Sequence, residues 1–443
     1  MTRNIRIKYI LLIALLTFLA FGRITELNFG TDDYFGLSYL ARGELLFEYP
    51  YYADMPRMWP LFALFHLNPA PYYGLAILLF FLSTLAVGFL AWVLLQRVSS
   101  VFFASIIYIF SSVGVGSMYT ASESIRHTQY LILQLVTLTF YVLTVRRQKP
   151  VYYAVSLLGF VITVFVFPYR AHTFIVLLFL AEVFLANRPW SLKRGLGLMG
   201  RMVPFAILAI IMYAVIGPQF TSAMRQNLGF LPTVGASDIS FAMKAVRDVA
   251  GIVLSQMRQG MMPQIALFFY LFFPTASIGS FAVLNRLMQQ FRIVYPIFFI
   301  GLVLAVLRMK DKALRQTLLF LIGTTLVIIL GYSMVHVEYQ NTSHRYLFMV
   351  RPFIALFLAG VFGYGLAKRR YALIFLGFVA VVSVLQLTEF IRYQRNELNY
   401  RGSFSKNIIA GIRKLIPSIH RYTFIFFASD TVTVDRVGGT FRN

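Results

Sequence analysis

The chain has 443 residues, of which 59% are hydrophobic and 13% are charged, and its mean hydropathy is +0.73. Soluble domains carry about 25% charged residues, so this composition excludes a soluble protein and predicts an all-α protein that crosses the membrane repeatedly. The absence of cysteine excludes disulfides and thiol chemistry. The net charge is +24, and 31 arginines stand against 9 lysines. Because arginine binds phosphate and carboxylate as a fork, this preference indicates anionic ligands.

Eleven apolar runs are long enough to be read as transmembrane helices. They lie at 8–22, 72–95, 100–118, 128–145, 151–168, 172–187, 201–217, 291–308, 316–335, 347–366 and 371–390. The first run lacks a small-x-small cleavage site, so we expect it to remain as a span. Apart from Glu182, these runs look nearly free of charge.

Short basic loops predict the orientation of the chain. With "TRNIRIK" inside, alternate loops such as "VRRQKP", "RMKDKALRQ" and "AKRRY" are basic, as cytoplasmic loops are. If the apolar segment 261–284 crossed the membrane, the loops "RMKDKALRQ" and "AKRRY" would lie outside. This segment is therefore predicted to be re-entrant or interfacial. Residues 1–390 then form a domain of about 11 spans with a cytoplasmic N-terminus. Residues 391–443 form a short outer tail with a helix and one or two strands.

The histidines and acidic residues are concentrated on the predicted outer side. The outward segments are 23–71, 119–127, 168–172, 218–290, 336–346 and 391–443. All six histidines lie in these segments or at their edges, and so do all acidic residues except Glu182 and Asp311. Charges in 218–290 lie on amphipathic stretches, which membrane association explains.

The first outer loop opens with "TDDYFGLSYLARG", which predicts an interfacial amphipathic helix. Asp32 or Asp33 would be its N-cap or lie in its first turn. A cap needs one carboxylate, so the pair also fits a general base or a metal ligand at the membrane surface. Asp33 is slightly preferred as the base, with Asp32 as the alternative.

Three further outer segments supply candidate binding residues. In "SESIRHTQYL", Glu123, Arg126 and His127 are spaced to share one helical face, either as a local ion pair or as part of a site. The segments "FPYRAHT" and "SHRYLFMVRP" contribute contacts for phosphate or sugar, although snorkelling also explains a single interfacial arginine. These candidates are Tyr169, Arg170, His172, His344, Arg345 and Tyr346.

The placement of "TDDYFGLSYLARG", "SESIRHTQYL" and "SHRYLFMVRPFIALFLAGV" resembles the GT-C superfamily of integral-membrane glycosyltransferases. In that family an acidic motif follows the first span, and a short arginine-containing segment leads into one of the last spans. The resemblance covers about residues 1–390. It implies Asp32 or Asp33 as the base, Glu123 as a second polar anchor, and Arg126, Arg170 and Arg345 as phosphate contacts. The Asp-Asp pair departs from the usual Asp-Glu or single Asp, and the short tail is similar to that of small bacterial enzymes that modify O-antigen or other surface glycans.

The resemblance implies an inverting transfer of sugar from a polyprenyl-phosphate donor to a glycan or lipid hydroxyl. The expected setting is the outer face of a bacterial inner membrane, with membrane lipids as partners and no nucleic acid. A divalent cation, Mg²⁺ or Mn²⁺, would suit the Asp pair, but no full ligand set is visible. An oligosaccharide polymerase or ligase is the first alternative. A flippase for lipid-linked saccharides is the second, and the scarcity of charge in the spans disfavours it.

Overall fold

A computed structural model describes most of the chain. The described residues are 3–30, 55–167, 171–186, 191–228, 262–274, 293–333, 345–367 and 372–404, with the single residues 33, 37, 40, 407, 411 and 414. Nearly all of them are helical, and they include no β-strand. The predicted all-α membrane fold is confirmed for this part of the chain, whereas the predicted strands of the tail lie outside it.

The helices follow one another with short connections. They are α1 (Arg3–Phe21), α2 (Met55–Phe65), α3 (Pro69–Leu95), α4 (Val98–Phe110), α5 (Ala121–Arg147), α6 (Pro150–Val166), α7 (Ala171–Leu185), α8 (Leu192–Leu228), α9 (Met262–Phe272), α10 (Val294–Leu307), α11 (Lys312–Ser333), α12 (Arg351–Ala367) and α13 (Ala372–Glu397). Short 3₁₀ helices cover Gly22–Glu26, Val115–Tyr119 and Arg345–Met349, and a π-helix covers Leu398–Phe404.

Local sequence explains several helix ends. Pro69 and Pro150 begin α3 and α6, at the position where the missing proline N–H costs nothing. Gln96 and Gln148 end α3 and α5 in the left-handed conformation, each with φ 54°, and their N–H groups bond carbonyls of the last turn.

Seven helices among the described residues are long and apolar enough to cross a membrane: α1, α3, α5, α8, α11, α12 and α13. Four shorter apolar helices, α4, α6, α7 and α10, coincide with the remaining predicted runs. The core centres on α12, which packs against α4, α11 and α13 and is buried along nearly its whole length.

Within the ambiguous segment 261–284 the structure describes a single helix. The 11 residues of α9 extend about 16 Å at 1.5 Å per residue, well short of the roughly 30 Å of a bilayer core. Residues 267–272 are buried, and Gln386 of α13 donates from Nε2 to the Leu271 carbonyl at 2.5 Å. The described part of this segment is therefore a short helix packed within the bundle. That the whole segment is re-entrant or interfacial stays a prediction.

Two predicted helix boundaries are wrong. The run 100–118 was expected to be one helix, but α4 ends at Phe110 because Ser111 is extended. Gly114 then adopts φ 65°, and an added Cβ there would lie 2.2 Å from the Phe348 backbone nitrogen. Conversely, α13 was expected to end at 390, yet helical structure continues to Phe404 because Gly402 is the first glycine or proline after residue 377.

The helix ends form two polar regions at opposite ends of α5. The Glu123 end comprises residues 28–30, 33, 115–128, 345–351 and 389–401, which are joined by the bonds described below. The Arg97 end comprises the ends of α3, α4, α5, α11 and α12 that surround a cavity of about 840 Å³. Loops predicted to lie outside meet at the first end, and loops predicted to lie inside meet at the second.

Glu182, the acidic residue predicted within a span, is held by a bidentate ion pair. Arg201 of α8 donates to its two oxygens at 2.6 and 2.9 Å, and Tyr141 of α5 donates at 3.1 Å. A buried charge persists in a low-dielectric interior when it is paired and hydrogen-bonded in this way. Glu182 therefore joins α7 to its neighbours.

Candidate functional site

Asp33 connects the first loop to the beginning of α5. Its Oδ2 accepts from the backbone N–H groups of Gly30 at 2.9 Å and Ala121 at 3.1 Å. Its Oδ1 accepts from the backbone N–H and the hydroxyl of Ser122, at 2.7 and 2.6 Å. The side chain is completely buried. All four acceptor positions of this carboxylate are thus filled.

The carboxylate of Asp33 acts as the N-cap of a distant helix. Thr120, the N-cap residue of α5 by position, makes no side-chain cap bond, and Asp33 binds the first two N–H groups of that helix instead. The positive end of the helix dipole favours an anion here. Asp33 is itself helical, together with the buried Leu37 and Leu40, in agreement with the predicted interfacial helix.

Burial raises the pKa of the Asp33 carboxyl above its ordinary value, while the Ser122 hydrogen bonds and the charge of Arg401 act in the opposite direction. A raised pKa strengthens a carboxylate as a base. Its oxygens, however, already face four donors and have no position left for a substrate hydroxyl. The geometry fits a positioning role for Asp33.

Glu123 lies at the centre of a cationic cluster. Arg126 donates to its Oε1, His127 Nε2 lies 3.2 Å from its Oε2, and Arg345 Nη1 lies 3.7 Å from its Oε1. The predicted common face of Glu123, Arg126 and His127 is confirmed, because α5 begins two residues before Glu123. Two of the loops predicted to lie outside, those that hold Glu123 and Arg345, therefore meet at this carboxylate.

The contacts of His127 place its ring between Ser117 and Glu123. Its Nδ1 lies 2.9 Å from Ser117 Oγ, and that hydroxyl donates its own hydrogen to the Arg345 carbonyl at 2.8 Å. Nδ1 must therefore donate to Ser117, and Nε2 faces the Glu123 carboxylate. The two guanidinium groups of Arg126 and Arg345 exceed the single carboxylate of Glu123 by one positive charge. Arg345, with 32% of its side chain exposed, is the most accessible of the basic side chains around Glu123.

Arg401 completes the contact with the first loop and was missed by sequence reasoning. It donates to the Tyr119 carbonyl and lies 3.6 Å from Glu397. An added Cβ on Gly30 would lie 2.0 Å from its Nη2, so the glycine makes room for the guanidinium. The signal was the helix-compatible run "TEFIRYQRNELNYR", which continues beyond the predicted end of the span.

Arg351 was also missed, and it corrects the expectation that Glu182 is the clear exception in nearly charge-free spans. It is fully buried in α12, and donates from Nε and Nη2 to the carbonyls of Tyr108 and Ile109 at 2.6 and 2.7 Å. Its Cζ lies 5.2 Å from the ring centroid of Phe80 and 5.9 Å from that of Phe348. The signal was an Arg-Pro pair at the start of an apolar run. Phe348 also stacks on His127, so the ring of Phe348 lies between Arg351 and the cationic cluster.

The remaining predicted site residues fall on less-described parts of the chain. Asp32, Tyr169, Arg170 and His344 lie outside the described residues. For His172 and Tyr346 the backbone alone is described, in α7 and in the 3₁₀ helix Arg345–Met349. Their predicted roles stay predictions.

The described residues do not fit a divalent metal at this end. Among them, no three histidine or acidic side chains lie close enough together to hold an ion. The oxygens of Asp33 accept from N–H and O–H donors, which occupy the positions a cation would need.

No family model matches the chain, and no curated protein matches its sequence.

Proposed function

We propose that this protein is an inverting glycosyltransferase that moves a sugar from a polyprenyl-phosphate donor to a hydroxyl of a glycan or glycolipid. The observation that carries the proposal is the bond between Asp33 and the first turn of α5. Because Glu123 follows Ser122 directly, this bond brings the acidic pair beside a cationic cluster. A carboxylate next to surplus positive charge suits the removal of a proton close to a phosphate leaving group.

The proposal includes 11 spans with the N-terminus in the cytoplasm and the Glu123 end on the outer face of a bacterial inner membrane. The seven long and four shorter apolar helices supply these crossings. Short helices can cross where the bilayer thins or where interfacial residues extend the apolar stretch. The basic loops meet at the Arg97 end, in accord with the positive-inside rule.

In the proposed reaction Asp32 is the base and Asp33 holds it in place, since the oxygens of Asp33 are already occupied. Asp32 takes the proton of the acceptor hydroxyl, and the hydroxyl oxygen attacks the anomeric carbon from the face opposite the phosphate. The bond between that carbon and the phosphate oxygen breaks, and its electron pair leaves with the polyprenyl phosphate. The configuration at the anomeric carbon inverts.

The cationic cluster would bind the donor phosphate and stabilise its developing charge. Arg345 is the preferred direct contact because it is the most accessible of the three basic side chains around Glu123. Arg126 and His127 are more deeply buried and hold Glu123 in place. Fixed donors of this kind stabilise a leaving anion without reorganisation during the reaction.

The buried charges of the described spans disfavour the flippase alternative. A transport path needs charged groups that face a route between the two leaflets. Glu182 is instead bound bidentately by Arg201, and Arg351 is bound to the last carbonyls of α4. These charges join helices together. A polymerase or ligase remains the second candidate, because the surplus of arginines suits it equally.

A transfer assay with the purified full-length protein tests the proposal. A panel of polyprenyl-phosphate sugars is offered with membrane glycan acceptors, and the transferred sugar and released polyprenyl phosphate are measured by mass spectrometry. We expect transfer by the native protein and a loss of about 100-fold or more in Asp32→Asn at an unchanged unfolding temperature. Asp33→Asn should lower the unfolding temperature as well as activity.

Arginine variants separate a phosphate contact from a general loss of charge. Arg345→Ala should raise KM for the donor, whereas Arg392→Ala is the matched control, because Arg392 is exposed at the same end and pairs with Glu389 at 3.8 Å. Full activity of Asp32→Asn would reject the proposed base. If Asp32→Asn retains activity while Arg345→Ala loses it, a polymerase or ligase that depends on arginine replaces the proposed glycosyltransferase with a carboxylate base.

A further inference from the structure

A polar cavity of about 840 Å³ lies at the Arg97 end, away from the proposed reaction site. Its walls come from the last turns of α3, α5 and α12 and the first turns of α4 and α11. The lining residues are Trp92–Arg97, Ser100, Leu143, Arg146, Arg147, Leu185, Asp311, Ala313, Leu314, Gln316, Gly360, Gly363 and Tyr364. A space of this size admits a phospholipid headgroup together with the beginning of its acyl chains.

The charged residues that line the cavity are mostly positive. Arg97, Arg146 and Arg147 face a single acid, Asp311. Asp311 is turned toward its own helix, where its Oδ1 accepts from the Leu314 N–H at 3.0 Å as an N-cap. Its negative charge thus compensates the positive end of α11 rather than the arginines.

Of the three arginines, one is bound to the protein backbone and the other two are accessible to a ligand in the cavity. Arg146 donates from Nη1 to the Val93 carbonyl at 2.5 Å, and so covers the negative end of α3. Arg97 donates one N–H to the Gly363 carbonyl, and its remaining donors make no hydrogen bond to a described residue. Arg147 is exposed and makes none to any described residue. Two guanidinium groups can therefore receive an anion.

Gly363 lets Ser100 of α4 lie close to α12, whereas the Arg97 side chain is at ordinary contact distance. An added Cβ would lie 2.7 Å from Ser100 Oγ and 3.7 Å from Arg97 Cδ. The cavity also has an apolar side, formed by Trp92, Leu95 and Leu314. Tryptophan beside arginine at a helix end is typical of the headgroup level of a membrane.

We propose that this cavity binds the phosphate of an anionic phospholipid, with Arg97 and Arg147 as its ligands. Forked guanidinium groups match phosphate oxygens, and the apolar side accommodates the glycerol and upper acyl chains. Basic pockets between transmembrane helices at the cytoplasmic surface favour anionic headgroups. This site lies at the opposite end of the bundle from the reaction site and is independent of the proposed transfer.

Lipid titration of the purified full-length protein in neutral detergent tests the site. Phosphatidylglycerol, phosphatidylcholine and inorganic phosphate are added separately, the unfolding temperature is recorded, and bound lipid is counted by native mass spectrometry. We expect stabilisation by phosphatidylglycerol alone. The affinity should fall roughly 10- to 30-fold in the double variant Arg97→Ala/Arg147→Ala, since two cations near the surface are removed.

The matched control is Arg308→Ala/Lys310→Ala, which removes two exposed basic residues that do not line the cavity. The single variant Arg147→Ala, which breaks no bond to a described residue, separates lost binding from lost folding and should itself weaken phosphatidylglycerol binding. Equal affinity in the native protein and the double variant overturns the site. An equal loss in the control overturns it in favour of general surface charge, and stabilisation by inorganic phosphate overturns the assignment to a lipid.

Discussion

The Glu123 end and the Arg97 end both place arginines against the ends of helices, but they differ in how far the polar groups are sealed from solvent. At the Glu123 end, Asp33 and Arg351 are fully buried and make bonds to backbone groups of distant helices. At the Arg97 end, the arginines line an open cavity, where water can replace a lost partner. The same type of hydrogen bond should therefore contribute more to the free energy of unfolding at the Glu123 end than at the Arg97 end.

The largest expected effect is at Asp33. Asp33→Ala leaves three backbone N–H groups and the Ser122 hydroxyl without their acceptor in a buried place. We expect the free energy of unfolding to fall by about 3 kcal/mol or more, as measured by denaturant titration of the purified protein in detergent. Asp33→Asn, which keeps one carbonyl oxygen, should fall between this variant and the native protein. A change below about 1 kcal/mol in Asp33→Ala would show that water reaches this end too.

Gly114→Ala should have the next largest effect. The new side chain would have to adopt φ 65° and would approach the Phe348 backbone nitrogen to 2.2 Å, so the 3₁₀ helix Arg345–Met349 must move. We expect a loss of about 2 kcal/mol in the same titration. The control is Gly74→Ala in α3, where an added Cβ meets no atom within 4 Å and alanine favours the helix. Equal stability of the two variants would contradict the close contact.

A smaller effect is expected at the cavity. Arg146→Met removes the bonds to the Val93 carbonyl and to the Thr317 hydroxyl, which lie 2.5 and 3.3 Å from the guanidinium. Because water in the cavity can bond the exposed carbonyl, we expect a loss of about 1 kcal/mol in the unfolding titration. A loss as large as that of Asp33→Ala would remove the proposed difference between the two ends.

The smallest effect is expected at an exposed ion pair. Glu26→Gln breaks the contact between Glu26 and Arg23, whose charged atoms lie 3.5 Å apart on two exposed side chains. Surface pairs of this kind contribute little, so the change in unfolding free energy should stay below about 0.5 kcal/mol. This variant sets the baseline against which the buried bonds at the Glu123 end are compared. A loss as large as that of Arg146→Met would show that exposure is not what separates these effects.

Hydropathy and helical spacing predicted much of the described fold. The apolar runs predict the helices because a backbone in lipid must satisfy its own hydrogen bonds. The face shared by Glu123, Arg126 and His127 follows from the helical period. The ends of α4 and α13 were placed wrongly, because apolar residues continue past the first and polar residues compose the end of the second.

The residues that sequence reasoning could not place are those whose role depends on distant partners. A pair of aspartates reads as a local N-cap, but the residues that Asp33 caps are almost 90 positions later in the chain. Arg351 binds carbonyls that are about 240 positions earlier. Local spacing carries no information about such contacts, since they depend on how the helices pack.

The contact between Arg401 and the Tyr119 carbonyl also has a consequence for the order of assembly during synthesis. Asp33 and the first turn of α5 are made early and can join while translation continues. The guanidinium that lies against Gly30 is made only after α13. The contact between Arg401 and Gly30 can therefore form only after α13 has been synthesised, and it is among the last to be added at the Glu123 end.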